Sequence, residues 1–311
     1  NMTRLGLNFS KYVNGVARKH KKVAKKMFSG YDIEFITNGA HSAFWTADSF
    51  SKLFEEYIPV WKEDPFSLRG VMNIPKKEVW EAHLEAKKMM IEKISELTNV
   101  VFDVDVFTIG FARRFVEYKR SDLMLYDVKK LKKIAKEKGN IQIVFSGKAH
   151  PDDLNGKDLL KKVVLEIREI NKTDSNIKAV FVENYDMSLA KLLVSGCDVW
   201  LNNPRRPFEA SGTSGMKAAM NGVLHFSTLD GWWLEGYIEG ITGWGIGLHP
   251  GDPEFDKDES PDDEAEDFYF KLKNVVLPLF YGDKDKWKEM MKMCIAINSS
   301  FFNTHRVMHQ Y

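Results

Sequence analysis

Residues 105–120, DVFTIGFA followed by RRFVEYKR, decide the fold that this sequence predicts. The first eight residues form an almost continuous run of apolar and β-branched side chains. Such a run is typical of a strand that is buried on both faces of a parallel sheet. The run ends in a cluster of cations, and the same rhythm of strand and polar turn recurs along the rest of the chain.

Four further runs of this kind follow the first. They are IQIVFSGK (141–148), IKAVFVENY (177–185), CDVWLNNP (197–204) and GVLHFSTLDG (222–231). Helical sequences lie between them, such as SDLMLYDVKKLKKIAKEKG (121–139), SLAKLLVSG (188–196) and SGMKAAMNG (214–222). The alternation of strands and helices predicts an α/β fold with a doubly wound, mostly parallel sheet.

The first hundred residues have a different, mainly helical pattern. Residues 1 to about 30 carry an apolar stripe at helical spacing, and the cations between 18 and 26 suit the solvated face of that helix. A loop, GYDIEFITNGAHSAFW (30–45), and further helical sequence to about residue 98 follow. The change of pattern predicts a boundary near residue 100.

Composition narrows the class of protein. The 45 basic and 44 acidic residues leave a net charge of +1, so neither nucleic acid nor an acidic membrane is an expected partner. The two cysteines, Cys197 and Cys294, are far apart, which argues against a disulfide scaffold and fits a reducing compartment. No apolar run reaches membrane-spanning length and no signal peptide is visible, so we expect a cytoplasmic protein. No metal site is predicted.

Unusual residues follow the ends of the predicted strands, where an open parallel sheet binds its ligands. Arg113, Arg114, Lys119 and Arg120 lie within eight residues of one another directly after the first strand. Arginine offers a bidentate fork and lysine a mobile charge, so this cluster suits phosphate. A basic surface turn explains the same residues equally well.

The segment EASGTSGMKAAMNG (209–222) places one lysine among small residues. Its glycines allow the backbone to approach a ligand closely, and amides at a helix start favour an anion. If the helix begins near Gly212, Thr213 and Lys217 share one face. That arrangement suits a phosphate-bearing cofactor joined to the lysine amine. The alternative is a tightly packed helix whose Lys217 extends into solvent.

Several common motifs are missing from the sequence. No GxGxxG follows the first strand, so a nicotinamide cofactor is not expected, and there is no Walker A lysine motif or HExxH helix. The string GTSGM lacks the last glycine of a hydrolase elbow.

The segment 209–222, with NNPRRPFEASG before it and LDGWWLEGY after it, closely resembles the α-glucan phosphorylase family, which includes glycogen, starch and maltodextrin phosphorylases. Further segments agree in the same order: NMTRLGLNFSKYVNGVA (1–17), ITNGAHSAFW (36–45), RRFVEYKR (113–120) and FVENYDMSLAKLLVSGCD (181–198). The resemblance covers most of residues 1–240. The forms GTSGMK and DGWW look like the short branch found in many prokaryotes.

The resemblance implies a GT-B arrangement of two Rossmann-like domains that hold pyridoxal 5′-phosphate. Residues 1–100 would be the mainly helical C-terminal part of the N-terminal domain. Residues 101–311 would be the C-terminal domain that binds the cofactor and phosphate, trimmed at its end. The implied reaction is reversible phosphorolysis of an α-1,4-glucan such as maltodextrin by inorganic phosphate, which gives α-glucose 1-phosphate with retention. The cofactor's phosphate would exchange a proton with the substrate phosphate, and a homo-oligomer is compatible with the resemblance.

Site roles carry over by motif position. Lys217 would be the Schiff-base lysine. The other cofactor-binding residues would be Thr213, Gly212, Ser214, Arg113, Tyr185 and Trp45. Arg114 and Lys119 would hold the inorganic phosphate. The sugar would contact Glu209, Ser211, Gly212, Asn38 and Tyr118.

The sequence departs from the long members of the family, which have Lys at position 113, His at 116 and Asn at 215. The family's glycine-rich loop and a substrate-contacting histidine lie in an N-terminal half that this sequence does not contain, so we expect this piece to be incomplete as an enzyme.

Two other functions stay open. One is a retaining glycosyltransferase of the same fold with a nucleotide-sugar donor, since the Arg and Lys cluster also suits a diphosphate. The other is a glucan-binding fragment without catalysis.

Overall fold

The computed structural model describes residues 2–172, 176–255, 257 and 260–311. The strands are β1 Asn14–Gly15, β2 Glu34–Phe35, β3 Phe107–Ala112, β4 Ile141–Ser146, β5 Ile177–Val182, β6 Val199–Asn202, β7 Leu224–Thr228 and β8 Gly243–Ile246. The α-helices are α1 Met2–Phe9, α2 Arg18–Met27, α3 Ser42–Trp45, α4 Asp48–Tyr57, α5 Lys76–Thr98, α6 Val128–Lys138, α7 Leu154–Lys172, α8 Met187–Gly196, α9 Thr213–Ala219, α10 Trp233–Gly236, α11 Pro261–Lys271, α12 Leu277–Gly282, α13 Lys284–Cys294 and α14 Thr304–Gln310. None of the helices that these residues form is long and apolar enough to cross a lipid bilayer.

Six strands form one parallel sheet in the order β5-β4-β3-β6-β7-β8. Numbered from the first strand of the sheet, this order is 3-2-1-4-5-6, the arrangement of the dinucleotide-binding doubly wound fold. The prediction of a parallel α/β sheet is therefore confirmed, and the five predicted strands coincide with β3 to β7. Strand β8 was not predicted, because its four residues, GWGI, include two glycines and give too short an apolar run.

The prediction of one helix over residues 1–30 is wrong. Helix α1 ends at Phe9, and β1 then pairs in parallel with β2 before α2 begins. The ring of His20 accepts a hydrogen bond from Val16 N at 3.1 Å, which satisfies a backbone donor where the chain turns into α2. The apolar stripe continues across this break, so periodicity alone does not detect it.

The strands at the centre of the sheet are buried on both faces, as their apolar sequences require. Every residue of β3 and of β4 is buried. Residues from the first hundred share the core with the sheet: Phe50 and Trp61 lie in the same cluster as Phe107 and Trp287. The boundary near residue 100 stays a prediction.

A buried charged cluster anchors α5 to the amino end of the sheet. Lys87 of α5 contacts Asp198 at 2.6 Å, and His83, one turn earlier, contacts the other carboxylate oxygen at 3.0 Å. Asp198 also accepts from Thr108 N of β3 at 2.8 Å. All three side chains are at most 1% exposed. Because the carboxylate is shared between helix and sheet, it fixes α5 relative to β3 and β6.

Candidate active site at the carboxyl edge of the sheet

Most of the predicted site residues lie on the segments that follow β3 and β6. Arg113 directly follows β3, and Asn203 directly follows β6, which is the neighbouring strand in the sheet. The chain order of the sheet reverses between these two strands. In doubly wound folds, the connections leave in opposite directions at such a point and open a crevice.

Arg113 is the buried cation of this edge, with 8% of its surface exposed. Its Nη2 donates to Leu201 O at 3.0 Å, whereas its Nε has no hydrogen-bond partner among the described residues. Burial lowers the pKa of Arg113 to about 10, against the raising effect of the Glu209 charge, so the guanidinium stays protonated at neutral pH. A buried guanidinium with an unused donor is suited to an anionic ligand.

Lys119 and Glu209 form an ion pair beside Arg113. The Lys119 amine also lies 4.8 Å from the centre of the Tyr118 ring. Burial, followed by the charge of Arg113, lowers the pKa of Lys119, and burial raises the pKa of Tyr118. A Cβ on Gly212 would lie 3.4 Å from Glu209 Cδ, and the φ of 82° at Gly212 also favours glycine.

The remaining two cations of the cluster differ. Arg114 is exposed, and its charge lowers the pKa of both Tyr118 and Lys119, which places it near them. Arg120 instead donates from Nε to Asn203 O at 2.8 Å and forms an ion pair with Glu264. Arg113, Arg114 and Lys119 therefore lie near one another, while Arg120 holds the loop after β6.

Lys217 lies on α9, which begins at Thr213, as the spacing argument requires. Its amine is 3.7 Å from the centre of the Trp45 ring and forms no hydrogen bond or ion pair with a described residue. Burial lowers its pKa. The lysine is thus half-buried against an aromatic face, rather than fully extended into solvent. The side chains of Thr213 and Ser214 also have no hydrogen-bond partner in the described parts of the chain.

Asn221, which the sequence reasoning missed, fixes this geometry. Its Nδ2 donates to Lys217 O at 3.0 Å and to Trp45 O at 2.9 Å, and its Oδ1 accepts from Ala47 N at 2.7 Å. The side chain is completely buried. One amide therefore holds the end of α9 against the segment that carries the Trp45 ring.

His225 lies between the lysine helix and the cationic cluster. A Cβ on Gly215 of α9 would come within 2.6 Å of the His225 ring, so only glycine fits there. Burial, together with the charge of Arg113, lowers the pKa of His225 to about 3. The ring stays neutral at physiological pH and contacts Asn202 Nδ2 at 3.3 Å. It joins the two groups of residues without adding charge.

Tyr185, Ser211 and Asn38 complete the predicted set. Tyr185 follows β5. Burial raises the pKa of its hydroxyl, and the charge of Arg113 opposes this rise, which places Tyr185 close to that residue. Ser211 is buried, and its hydroxyl has no partner among the described residues. Asn38 bonds through its backbone to Val16 and Arg306. No described hydrogen bond joins Asn38 to the rest of the cluster.

Asp230 is a second residue that the sequence reasoning missed. Its carboxylate accepts from Glu209 N and from Gly231 N, each at 2.9 Å. Burial raises its pKa to about 6, although both hydrogen bonds oppose this effect. Its position after β7 was the available signal, because it lies at the same edge as Arg113. Asp230 fixes the backbone that presents Glu209.

Comparison with known proteins gives one consistent result. The profile of a family described as carbohydrate phosphorylase matches residues 1–238. Over the whole chain, the sequence is 43% identical to the maltodextrin phosphorylase of Thermococcus litoralis and 40% identical to the glycogen phosphorylase of Aquifex aeolicus. Over 94% of the chain, it is 36% identical to the glycogen phosphorylase of Mycobacterium tuberculosis. The chain spans 40%, 48% and 37% of the lengths of these relatives.

Proposed function

Since the chain belongs to the carbohydrate phosphorylase family, we propose that the protein is an α-glucan phosphorylase that uses pyridoxal 5′-phosphate. It transfers glucose reversibly from an α-1,4-glucan, such as maltodextrin or glycogen, to inorganic phosphate. The product is α-glucose 1-phosphate with retained configuration. We further propose a cytoplasmic GT-B enzyme, in which residues 1–100 belong to one domain and residues 101–311 to the other.

The observation that carries the proposal is the state of the Lys217 amine. It is half-buried on Trp45, its pKa is lowered by burial, and it has no ion-pair or hydrogen-bond partner among the described residues. Desolvation of this kind increases the neutral, nucleophilic fraction of a lysine. An amine of this type suits covalent attachment of an aldehyde cofactor.

The neighbouring residues also fit a phosphate-bearing cofactor. Thr213 and Ser214 have unpartnered hydroxyls at the start of α9, and Arg113 has an unused buried donor. We propose that these groups hold its phosphate, with Gly212 leaving room and with Trp45 and Tyr185 beside the ring. When bound, the cofactor supplies a phosphate that donates and accepts a proton next to the substrate phosphate.

The cations make a second phosphate tolerable. Two phosphates in contact repel each other strongly in a partly buried site. We propose that Arg114 and Lys119 bind the inorganic phosphate while Arg113 offsets the charge between the two groups. Lys119 is paired with Glu209 in this structure, so phosphate binding has to weaken or share that ion pair.

The sugar is held by the residues between β6 and α9. We propose that the Glu209 carboxylate accepts hydrogen bonds from glucose hydroxyls and that the Ser211 hydroxyl donates one to the sugar. Tyr118, Gly212 and Asn38 would lie around the ring. In phosphorolysis, the bond between C1 and the glycosidic oxygen breaks and a phosphate oxygen bonds to C1 on the same face. The departing 4-oxygen takes up the proton that the inorganic phosphate gives up and becomes a hydroxyl.

A spectroscopic experiment tests the proposal. The purified protein should show the near-ultraviolet absorbance of a pyridoxal group, and Lys217→Ala should abolish it. Lys77→Ala is the control, because the Lys77 side chain is 83% exposed and pairs with Glu81 on the surface. Absence of the chromophore from the unaltered protein would refute cofactor binding.

An activity measurement tests the reaction itself. The full-length protein should release glucose 1-phosphate from maltodextrin and phosphate. Extension of a glucan from ADP-glucose or UDP-glucose, with no release of glucose 1-phosphate, would instead support a nucleotide-sugar glycosyltransferase.

A further inference from the structure

A pocket of about 370 Å³ lies between α2 and the segment that follows β7, and the proposed mechanism does not use it. One face of α2, residues 206–207, residues 229–230, Phe255 and Lys257 form its walls. Its volume is within the range of sites that hold small ligands. None of the cations assigned to the substrate phosphate lines it. It is therefore separate from the proposed phosphate site.

Cationic side chains dominate the walls of this pocket. Those that line it are Lys19, Lys22, Lys26, Arg206 and Lys257. Asp230, with 3% of its surface exposed, is the one carboxylate among the described lining residues. Lys257 also pairs with Glu254 at 2.6 Å. These carboxylates offset only part of the positive charge, so the pocket attracts anions.

The lysines of α2 differ in their partners according to the face that they occupy. Lys21 and Lys25 form ion pairs with carboxylates at or next to β2, at 2.7 Å and 3.3 Å. On the pocket face, the amines of Lys22 and Lys26 have no hydrogen-bond or ion-pair partner among the described residues. These two lysines are four positions apart, where like charges on a helix repel each other. An anion in the pocket removes this repulsion.

The other wall of the pocket holds an arginine in place. The Arg206 guanidinium carbon lies 4.5 Å from the centre of the Phe255 ring, and its Nη1 donates to Phe255 O at 3.2 Å. The Lys19 amine lies 5.4 Å from the same ring. A guanidinium that is fixed in this way loses little freedom when it binds an oxyanion through its fork. Val23 and Leu229 add apolar surface to the lining.

We propose that this pocket binds a small ligand with two or more phosphate groups. The amines of Lys22 and Lys26 bind one end of the phosphate chain, and the Arg206 fork binds the other. The source is either an inorganic polyphosphate or a nucleoside triphosphate, whose base packs on Val23 and Leu229. The inference goes beyond the proposed function and does not depend on it, because binding occurs without turnover.

Isothermal titration of the full-length protein with inorganic tripolyphosphate tests the site. Lys22→Ala and Lys26→Ala should each raise the dissociation constant about fivefold, because each removes one unpaired cation from the pocket. Lys21→Ala and Lys25→Ala are the matched controls. They remove the same charge from the same helix, but from its ion-paired face, and should bind as the unaltered protein does.

The same titrations show where the anion binds. An equal loss of affinity in all four variants would mean non-specific attraction to α2 and would overturn the proposal. A loss confined to Lys119→Ala would place the anion at the candidate active site, and this result, like the absence of binding to the unaltered protein, would also overturn it.

Titration with ATP distinguishes the two sources of phosphate. If the α2 variants weaken binding as expected, tighter binding of ATP than of tripolyphosphate supports a nucleotide site, because the base then contributes apolar contact. Equal affinity supports an inorganic polyphosphate site.

Discussion

At the scale of single residues, Glu209 offsets part of the positive charge of the proposed phosphate site. Its carboxylate pairs with Lys119 and raises the pKa of Arg113. We predict that Glu209→Gln increases the affinity for free phosphate severalfold, because Lys119 loses its competing anion. Isothermal titration with phosphate, in the absence of glucan, measures this change.

The same substitution should reduce turnover, because Glu209 is also a proposed ligand of the sugar. Glu55→Gln serves as the control, since Glu55 pairs with Lys62 on the surface, away from the site. Weaker binding of phosphate by Glu209→Gln would show that the carboxylate organises the pocket instead of competing for it.

Asp230 makes stability depend on pH. Its pKa is raised to about 6 in the folded protein, compared with 3.8 as the ordinary value. The folded state therefore holds the proton more tightly. Protonated Asp230 therefore stabilises the folded state fully below pH 4. This stabilisation is lost as the pH rises through 6, and the loss lowers the free energy of unfolding by at most about 3 kcal/mol. We predict that Asp230→Asn removes this part of the pH dependence.

Denaturant unfolding between pH 4 and pH 8 measures this effect as the difference between the variant and the unaltered protein. Asp32→Asn is the control, because the Asp32 side chain is 88% exposed. A difference that does not change with pH would mean that Asp230 does not titrate in this range.

At the scale of elements, Asn221 joins α9 to the segment after α3. Removing its side chain leaves buried backbone groups of Trp45, Ala47 and Lys217 without this partner. We predict that Asn221→Ala lowers the free energy of unfolding by about 3 kcal/mol, because unsatisfied buried groups are costly. It should also weaken cofactor binding, since Lys217 loses its fixed position against Trp45.

Chemical denaturation and the absorbance of bound cofactor are the two measurements for Asn221→Ala. Asn274→Ala is a suitable control, because Asn274 is on the surface and its amide donates to Phe270 O at 2.9 Å. If Asn221→Ala lost stability but kept its cofactor affinity, the amide would be structural only.

At the scale of the whole molecule, the buried Lys87 and Asp198 pair holds α5 on the sheet. We predict that Lys87→Met costs about 3–5 kcal/mol, because it leaves a buried carboxylate without its cation. The double variant Lys87→Met with Asp198→Asn should cost clearly less than the sum of the two single changes. Thermal unfolding of the four proteins measures the coupling, and strict additivity would show that the two groups act independently.

The fold could largely be predicted, because its signals are local. Strands β3 to β7 are continuous apolar runs, and such runs occur where both faces of a strand are buried. Strand β8 and the break between α1 and α2 were not predicted. In both places, pairing with a distant segment, β7 for β8 and β2 for β1, decides the structure.

The candidate site could be predicted only in part. The residue types pointed to Arg113, Lys119 and Lys217, and the structure places them at one edge of the sheet. The roles of Asn221 and His225 could not be predicted, because both residues act through contacts between segments that are distant in sequence, whereas Asp230 is marked by its position after β7. The same limit applies to Arg120, which belongs to the cationic motif but holds the loop after β6.

The sequence by itself determined the class of fold, the family, and the residue types that meet at the carboxyl edge, because periodicity and short motifs are properties of neighbouring residues. The tertiary structure alone decided that Lys119 pairs with Glu209 and that Arg120 pairs with Glu264. It also decided that the Lys217 amine lies against the Trp45 ring. These properties depend on burial and on distances of a few ångströms between separate segments, and the packing of the complete sheet and its helices sets both.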